Sequence, residues 1–154
     1  MFDTPVDGWY TWLGVALAGV TVLGVTLGLP VAPPPTATDI ATAVDATATS
    51  ERDAATTVDV DAEAIRLTPR GVGVRGRGGA ARATFQYGPV VQVVGGRLDA
   101  VLDGVEPASV FASPAALKTA AIEARTTEPE WRPAPRRLRV RHVTWGGVDV
   151  TLVG

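Results

Sequence analysis

The chain has 154 residues, room for one ordinary domain, and a net charge of −2. It contains no cysteine, which excludes a disulfide framework, a thiolate metal site and a cysteine nucleophile. Up to Glu63 nine acids stand against Arg52 alone, hence −8; beyond it thirteen bases stand against seven acids, hence +6.

After an acidic tail, residues 1–8, the run from Trp9 to Leu29 carries no charged residue. As a helix it spans about 31 Å, close to the roughly 30 Å of a hydrocarbon layer. Trp9, Tyr10 and Trp12 gather at one end, where amphipathic rings favour an interface, and Pro30 closes the other. The expectation is a single transmembrane helix over 9–29, with the lipid bilayer as a partner. A cleaved secretory signal fits poorly, because the preceding MFDTPVDG is acidic and the apolar run is long. A prepilin-type cut fits poorly too, since Asp7 and not a basic residue precedes Gly8. Gly14, Ala18, Thr21 and Gly28 fall near one line of this helix, and Gly24 with Gly28 makes a small-xxx-small pair. These residues are candidates for packing against other membrane helices. The first Lys or Arg is Arg52, so the positive-inside rule does not orient the chain. The Pro/Thr-rich stretch that follows favours an extracytoplasmic domain on a cell membrane.

Residues 30–57 read as a stalk. Pro33, Pro34 and Pro35 impose a semi-rigid extended spacer. A marginal helix near 39–52 is capped by Thr38 or Asp39, with Ile40, Val44 and Ala48 on one thin stripe.

Residues 58–154 read as the soluble domain. The short runs AIRLT, VGVR, ARATFQY and VVQVV, separated by glycine and proline turns, predict an antiparallel meander. LDAVLDG reads equally as a strand or a helical turn. Ser113-Pro114 starts a helix over about 113–126, with Leu117, Ala120, Ala121 and Ala124 on one face beside Ile122. Three prolines in EPEWRPAP make a rigid connection. The end of the chain predicts a hairpin about Gly146-Gly147, with Trp145 facing Val148, Val143 facing Val150 and Arg141 facing Leu152 on the core side. The fold class expected is α+β: a single N-terminal transmembrane helix plus a small, mainly antiparallel β domain. Its sheet has four to six strands, with one main helix and a C-terminal β-hairpin.

Few residues point to chemistry. GVGVRG at 71–76 matches the letters of a dinucleotide loop, yet it leads into a turn and another strand, not a helix. His142 is the lone histidine and the serines are Ser50, Ser109 and Ser113, which leaves no set for a Ser/His/Asp triad and no histidine cluster for zinc. The expectations are no enzyme, no cofactor, no metal and no small-molecule substrate. Arg136, Arg137, Arg139 and Arg141 form a candidate partner-binding basic face, read as contacting an acidic protein in preference to nucleic acid.

The opening MFDTPVDGWYTWLGVALAGVTVLGVTLGLPVAPPP, the FQYGPV segment and the GGRLDAVLDG and SPAALKTAAIEAR blocks resemble an uncharacterised haloarchaeal family of short single-pass membrane proteins. The resemblance implies a context of type IV pilus-like or type II-like secretion systems and carries over no site residues. The expectation is a non-catalytic, membrane-anchored accessory or structural component of such a cell-envelope assembly. A surface-displayed binding or sensor domain acting alone, and a cytoplasm-facing tethered regulator, are the alternatives.

Overall fold

A computed structural model of the chain describes residues 36–154. Helix α1, Ala37–Ala48, is built from alanines, threonines and two buried branched residues, with Asp39 in its first turn complementing the helix dipole. Hydroxyls close its far end: Thr47, Thr49 and Ser50 donate to the carbonyls of Ala43, Asp45 and Ala46. Its buried stripe is Ala37, Ile40, Ala41, Val44 and Thr47.

Two four-stranded sheets follow. The first has the order β1 (Ala54–Asp59), β7 (Arg137–Trp145), β8 (Val148–Val153), β5 (Val91–Gln92). The second has the order β4 (Gly79–Thr84), β3 (Gly71–Gly76), β2 (Ala64–Thr68), β6 (Arg132–Pro133). Between β5 and β6 lie α2 (Arg97–Leu102), α3 (Pro107–Val110) and α4 (Pro114–Thr126).

The first sheet is the middle layer. One of its faces shares a core with α1 and the second sheet, through Ile40, Val44, Ile65, Leu67, Val74, Leu138, Val140 and Val153. The other packs Val91, Val143, Val150 and Leu152 against Leu98, Val101, Phe111 and Leu117 of the helical layer. Each such side chain fully withdrawn from water contributes about 1.5–3 kcal/mol of transfer free energy. Gln92 ties the sheets together when its amide is oriented to donate to the Leu67 carbonyl at 3.0 Å and accept from Arg132 at 2.7 Å.

The fold is α+β with a small β-rich domain, and the expected class needs correction in several respects. Among the described residues no helix is long and apolar enough to cross a membrane. The expected transmembrane helix at 9–29 lies outside the described residues. The expected single sheet is two sheets, because the chain crosses from β1 to the second sheet and returns at β5. The helix assigned to a stalk is core: Val44 is fully buried, and α1 packs on β1, β7 and β8 of one sheet and β3 and β4 of the other. Strand β1, its first four residues also assigned to the stalk, pairs with β7 from Ala54 against His142 to Asp59 against Arg137.

The meander holds for β2, β3 and β4, but β5 leaves it and runs parallel to β8, pairing Val91 with Leu152. LDAVLDG resolves as helix α2. The hairpin has the expected register, Trp145 opposite Val148 through Val140 opposite Val153, over glycines with φ of 57° and 77°. Its strands are central, so both faces are buried instead of one: Val140 and Val153 point to one core, Val143 and Leu152 to the other. Helix α4 starts as expected, with the Ser113 hydroxyl accepting from the Ala116 N–H, whereas Ile122 is exposed.

Candidate docking groove

Alternation along the second sheet decides which side chains meet solvent. Ile65, Leu67, Val72 and Val74 point inward to the core, so Arg66, Thr68, Gly71, Gly73 and Arg75 occupy the outer face. Strand register sets their neighbours. Arg66 on β2 and Arg82 on β4 flank Gly73 of β3, while Thr68 and Thr84 flank Gly71. Glycine at these two central positions leaves the floor without side chains. Two strand spacings separate the Arg66 and Arg82 backbones, roughly 10 Å.

The result is an open groove of about 420 Å³ lined by Arg66, Thr68, Arg70, Arg82, Thr84 and Trp131 over that glycine floor. Trp131, just before β6, lies over Gly73, where an added Cβ would stand 3.2 Å from its Cη2. The Arg75 guanidinium stacks 4.6 Å from the Trp131 ring centroid and holds the indole in place.

Among the described residues no carboxylate lines this groove. Two other hollows of about 300 Å³ differ: one beside Arg141 includes Asp53 and Asp103, and one beside Ile122 includes Asp149. Ion pairs among the described residues engage Arg77 with Glu63, Arg137 with Asp59, and Arg139 with Asp99 and Asp103. Arg66, Arg70, Arg75 and Arg82 enter none of them.

The basic face expected from sequence is placed differently in each of its members. Arg136 precedes β7 and is exposed, and Arg137 forms an open pair with Asp59 at 3.4 Å. Arg139 binds two carboxylates of the α2 region. Arg141 is 8% exposed and donates to the carbonyls of Val101 and Val105, closing the C-terminal end of α2. Arg139 and Arg141 therefore hold the helical layer on its sheet. The five candidate helix-packing residues, Gly14, Ala18, Thr21, Gly24 and Gly28, lie outside the described residues.

His142 is buried, with Nδ1 3.1 Å from the Thr151 hydroxyl, and Thr144 donates to Asp149 at 2.7 Å. Burial lowers the pKa of the Arg125 and Arg132 guanidinium groups from the ordinary value. Arg125 donates to the Pro89 carbonyl at 2.9 Å. Among the described residues no group of three or more His, Cys, Asp or Glu side chains converges as a metal site.

Sequence reading missed the groove because its arginines come from separate strands and turns. The signal was present in GVGVRG, whose valines alternate with glycines on a strand flanked by two arginine-bearing strands.

Fold and groove together define a class: a small α+β domain on two four-stranded sheets, with an open arginine-lined face on the outer one. Residues 3–143 match the family of unknown function DUF7283, and the chain belongs to that family. No curated protein and no solved structure matches it.

Proposed function

We propose that the chain is a non-catalytic accessory or structural component of a cell-envelope assembly of the pilus-like or secretion type, and that it works by docking. The observation that carries the docking role is the groove, in which Arg66, Arg70 and Arg82 surround a floor of glycine with no carboxylate among them. Guanidinium groups without acidic neighbours on a sheet wall are suited to binding a partner's anions. A groove this open, with no histidine or carboxylate among its lining residues to act as general base, is better suited to association than to enclosing a reaction. The uncharged run 9–29 and the sequence resemblance support a place at a cell membrane.

The test is recovery of partners after cross-linking in intact cells and gentle solubilisation of membranes. Envelope-assembly components are expected to copurify with the chain. A chain that remains in the aqueous fraction, or is recovered without any such component, defeats the proposal.

A further inference from the structure

The geometry points to a specific occupant for the groove: we propose that it binds an extended acidic segment of a partner protein, with separate carboxylates engaged by Arg66, Arg70 and Arg82. This rests on the docking function above and names its chemistry.

The first step is charge complementarity. Arg66, Arg70 and Arg82 line the groove, Arg75 borders it, and none of the four pairs with a carboxylate among the described residues. A guanidinium is a planar fork of donors that matches a carboxylate in two parallel bonds. Thr84 adds a hydroxyl group beside Gly71, whereas the Thr68 hydroxyl on its other side donates to the Gly71 carbonyl at 3.0 Å.

The second step is spacing. Arg66 and Arg82 arise on strands two apart, roughly 10 Å between backbones. With Arg70 they make three guanidinium groups, which a ligand with several anionic groups along a chain matches in charge and one small anion does not. Gly71 puts no side chain between Thr68 and Thr84, while Gly73 is roofed by Trp131, so the chain runs beside the indole and not beneath it.

The third step separates an acidic peptide from nucleic acid. Trp131 has Arg75 stacked on one face of its ring and Gly73 beneath its edge, so one face of the groove's aromatic is already taken by a cation and is not available to a base. Beyond the Gly76 end of the sheet Glu63 is paired with Arg77, and Asp61 stands exposed without a basic partner among the described residues. A long phosphate backbone leaving the groove in that direction passes Asp61, whereas a short acidic segment ends before it.

The experiment uses the full-length chain in mild detergent. A fluorescein-labelled peptide rich in Asp and Glu is titrated beside the same peptide with Asn and Gln in their place, and beside a labelled single-stranded oligonucleotide. The acidic peptide is expected to bind saturably, the neutral one not to bind, and added salt to weaken the complex. Arg82→Glu and Arg70→Glu, each shown by circular dichroism to keep the wild-type fold, should weaken binding by about tenfold or more, as expected for losing a charge-assisted pair and adding repulsion. Arg137→Glu, on the other sheet, should stay within about twofold.

Absence of saturable binding overturns the inference, as does equal weakening by Arg137→Glu or tighter binding of the oligonucleotide. Self-association of the wild type that is lost in Arg82→Glu assigns the groove to a second copy, and overturns a separate partner. If Arg82→Glu still recovers the envelope components that the wild type recovers, the groove is not where they dock, and this inference falls while the proposed function stands. If the peptide binds as expected but membranes yield no such component, the proposed function falls and the groove's chemistry stands.

Discussion

Asp45 on α1 accepts the backbone N–H of Gln86 through both carboxylate oxygens, at 2.9 and 3.1 Å, and one of them also takes the N–H of Tyr87 at 3.0 Å. These bonds satisfy two amides just past the end of β4 and pin an N-terminal helix to a strand some forty residues on. Asp45→Ala removes every acceptor and should cost about 1–2 kcal/mol, the range for charge-assisted bonds reduced by their exposure. Asp45→Asn keeps one carbonyl oxygen and should cost less. Chemical denaturation of both variants should show a lower midpoint with unchanged slope.

Much of the fold was legible where local chemistry dictates it. The Gly146-Gly147 turn fixes the hairpin register whatever surrounds it, and Ser113-Pro114 starts α4 by capping alone. What sequence did not disclose depends on distant partners. The stripe of Ile40 and Val44 is thin by itself, and only the walls of two sheets make it a core. The VVQVV run reads as one more antiparallel strand, yet β8 claims it in parallel from the far end of the chain. Charge misled for a related reason. Arg139 and Arg141 read as part of a partner-binding basic face until α2 presents Asp99, Asp103 and its terminal carbonyls to them. The groove arginines are far apart in sequence and meet through register alone.

Because α1 is core and β1 pairs along β7, a fragment spanning 58–154, which lacks α1 and all but the last two residues of β1, should not fold. The loss uncovers Ile65, Leu67, Val74, Leu138 and Val140, and leaves most of one edge of β7 unpaired. A fragment spanning 36–154 should unfold cooperatively, and the shorter one should lack a cooperative transition and bind an apolar dye such as ANS. Equal thermal unfolding of the two fragments would contradict the placement of α1.

Arg141 and Arg137 sit four residues apart on β7 and should respond very differently to substitution. Arg141→Met leaves the carbonyls of Val101 and Val105 without their donor in a buried setting, and should cost about 2–3 kcal/mol. Arg137→Ala breaks an exposed pair with Asp59 and should cost less than about 1 kcal/mol. Thermal melts of the two variants check the order. Hydrogen exchange should place the loss from Arg141→Met in α2.

Gly71 and Gly73 both lie on the central strand β3, yet alanine meets different neighbours at each. At Gly71 the new Cβ falls 2.6 Å from the carbonyl oxygen of Ala83, a backbone atom held by the β3–β4 ladder. Relief requires the strands to separate, so Gly71→Ala should destabilise by about 2 kcal/mol or more, as overpacking does in a core that cannot shift. At Gly73 the nearest atom is Cη2 of Trp131 at 3.2 Å, the far end of a side chain that is half in solvent. The indole can slide a few tenths of an ångström across Arg75, so Gly73→Ala should cost well under 1 kcal/mol. Denaturant midpoints compare the two, and a larger loss at Gly73 than at Gly71 would show that Trp131 is fixed more rigidly than the β3–β4 ladder itself.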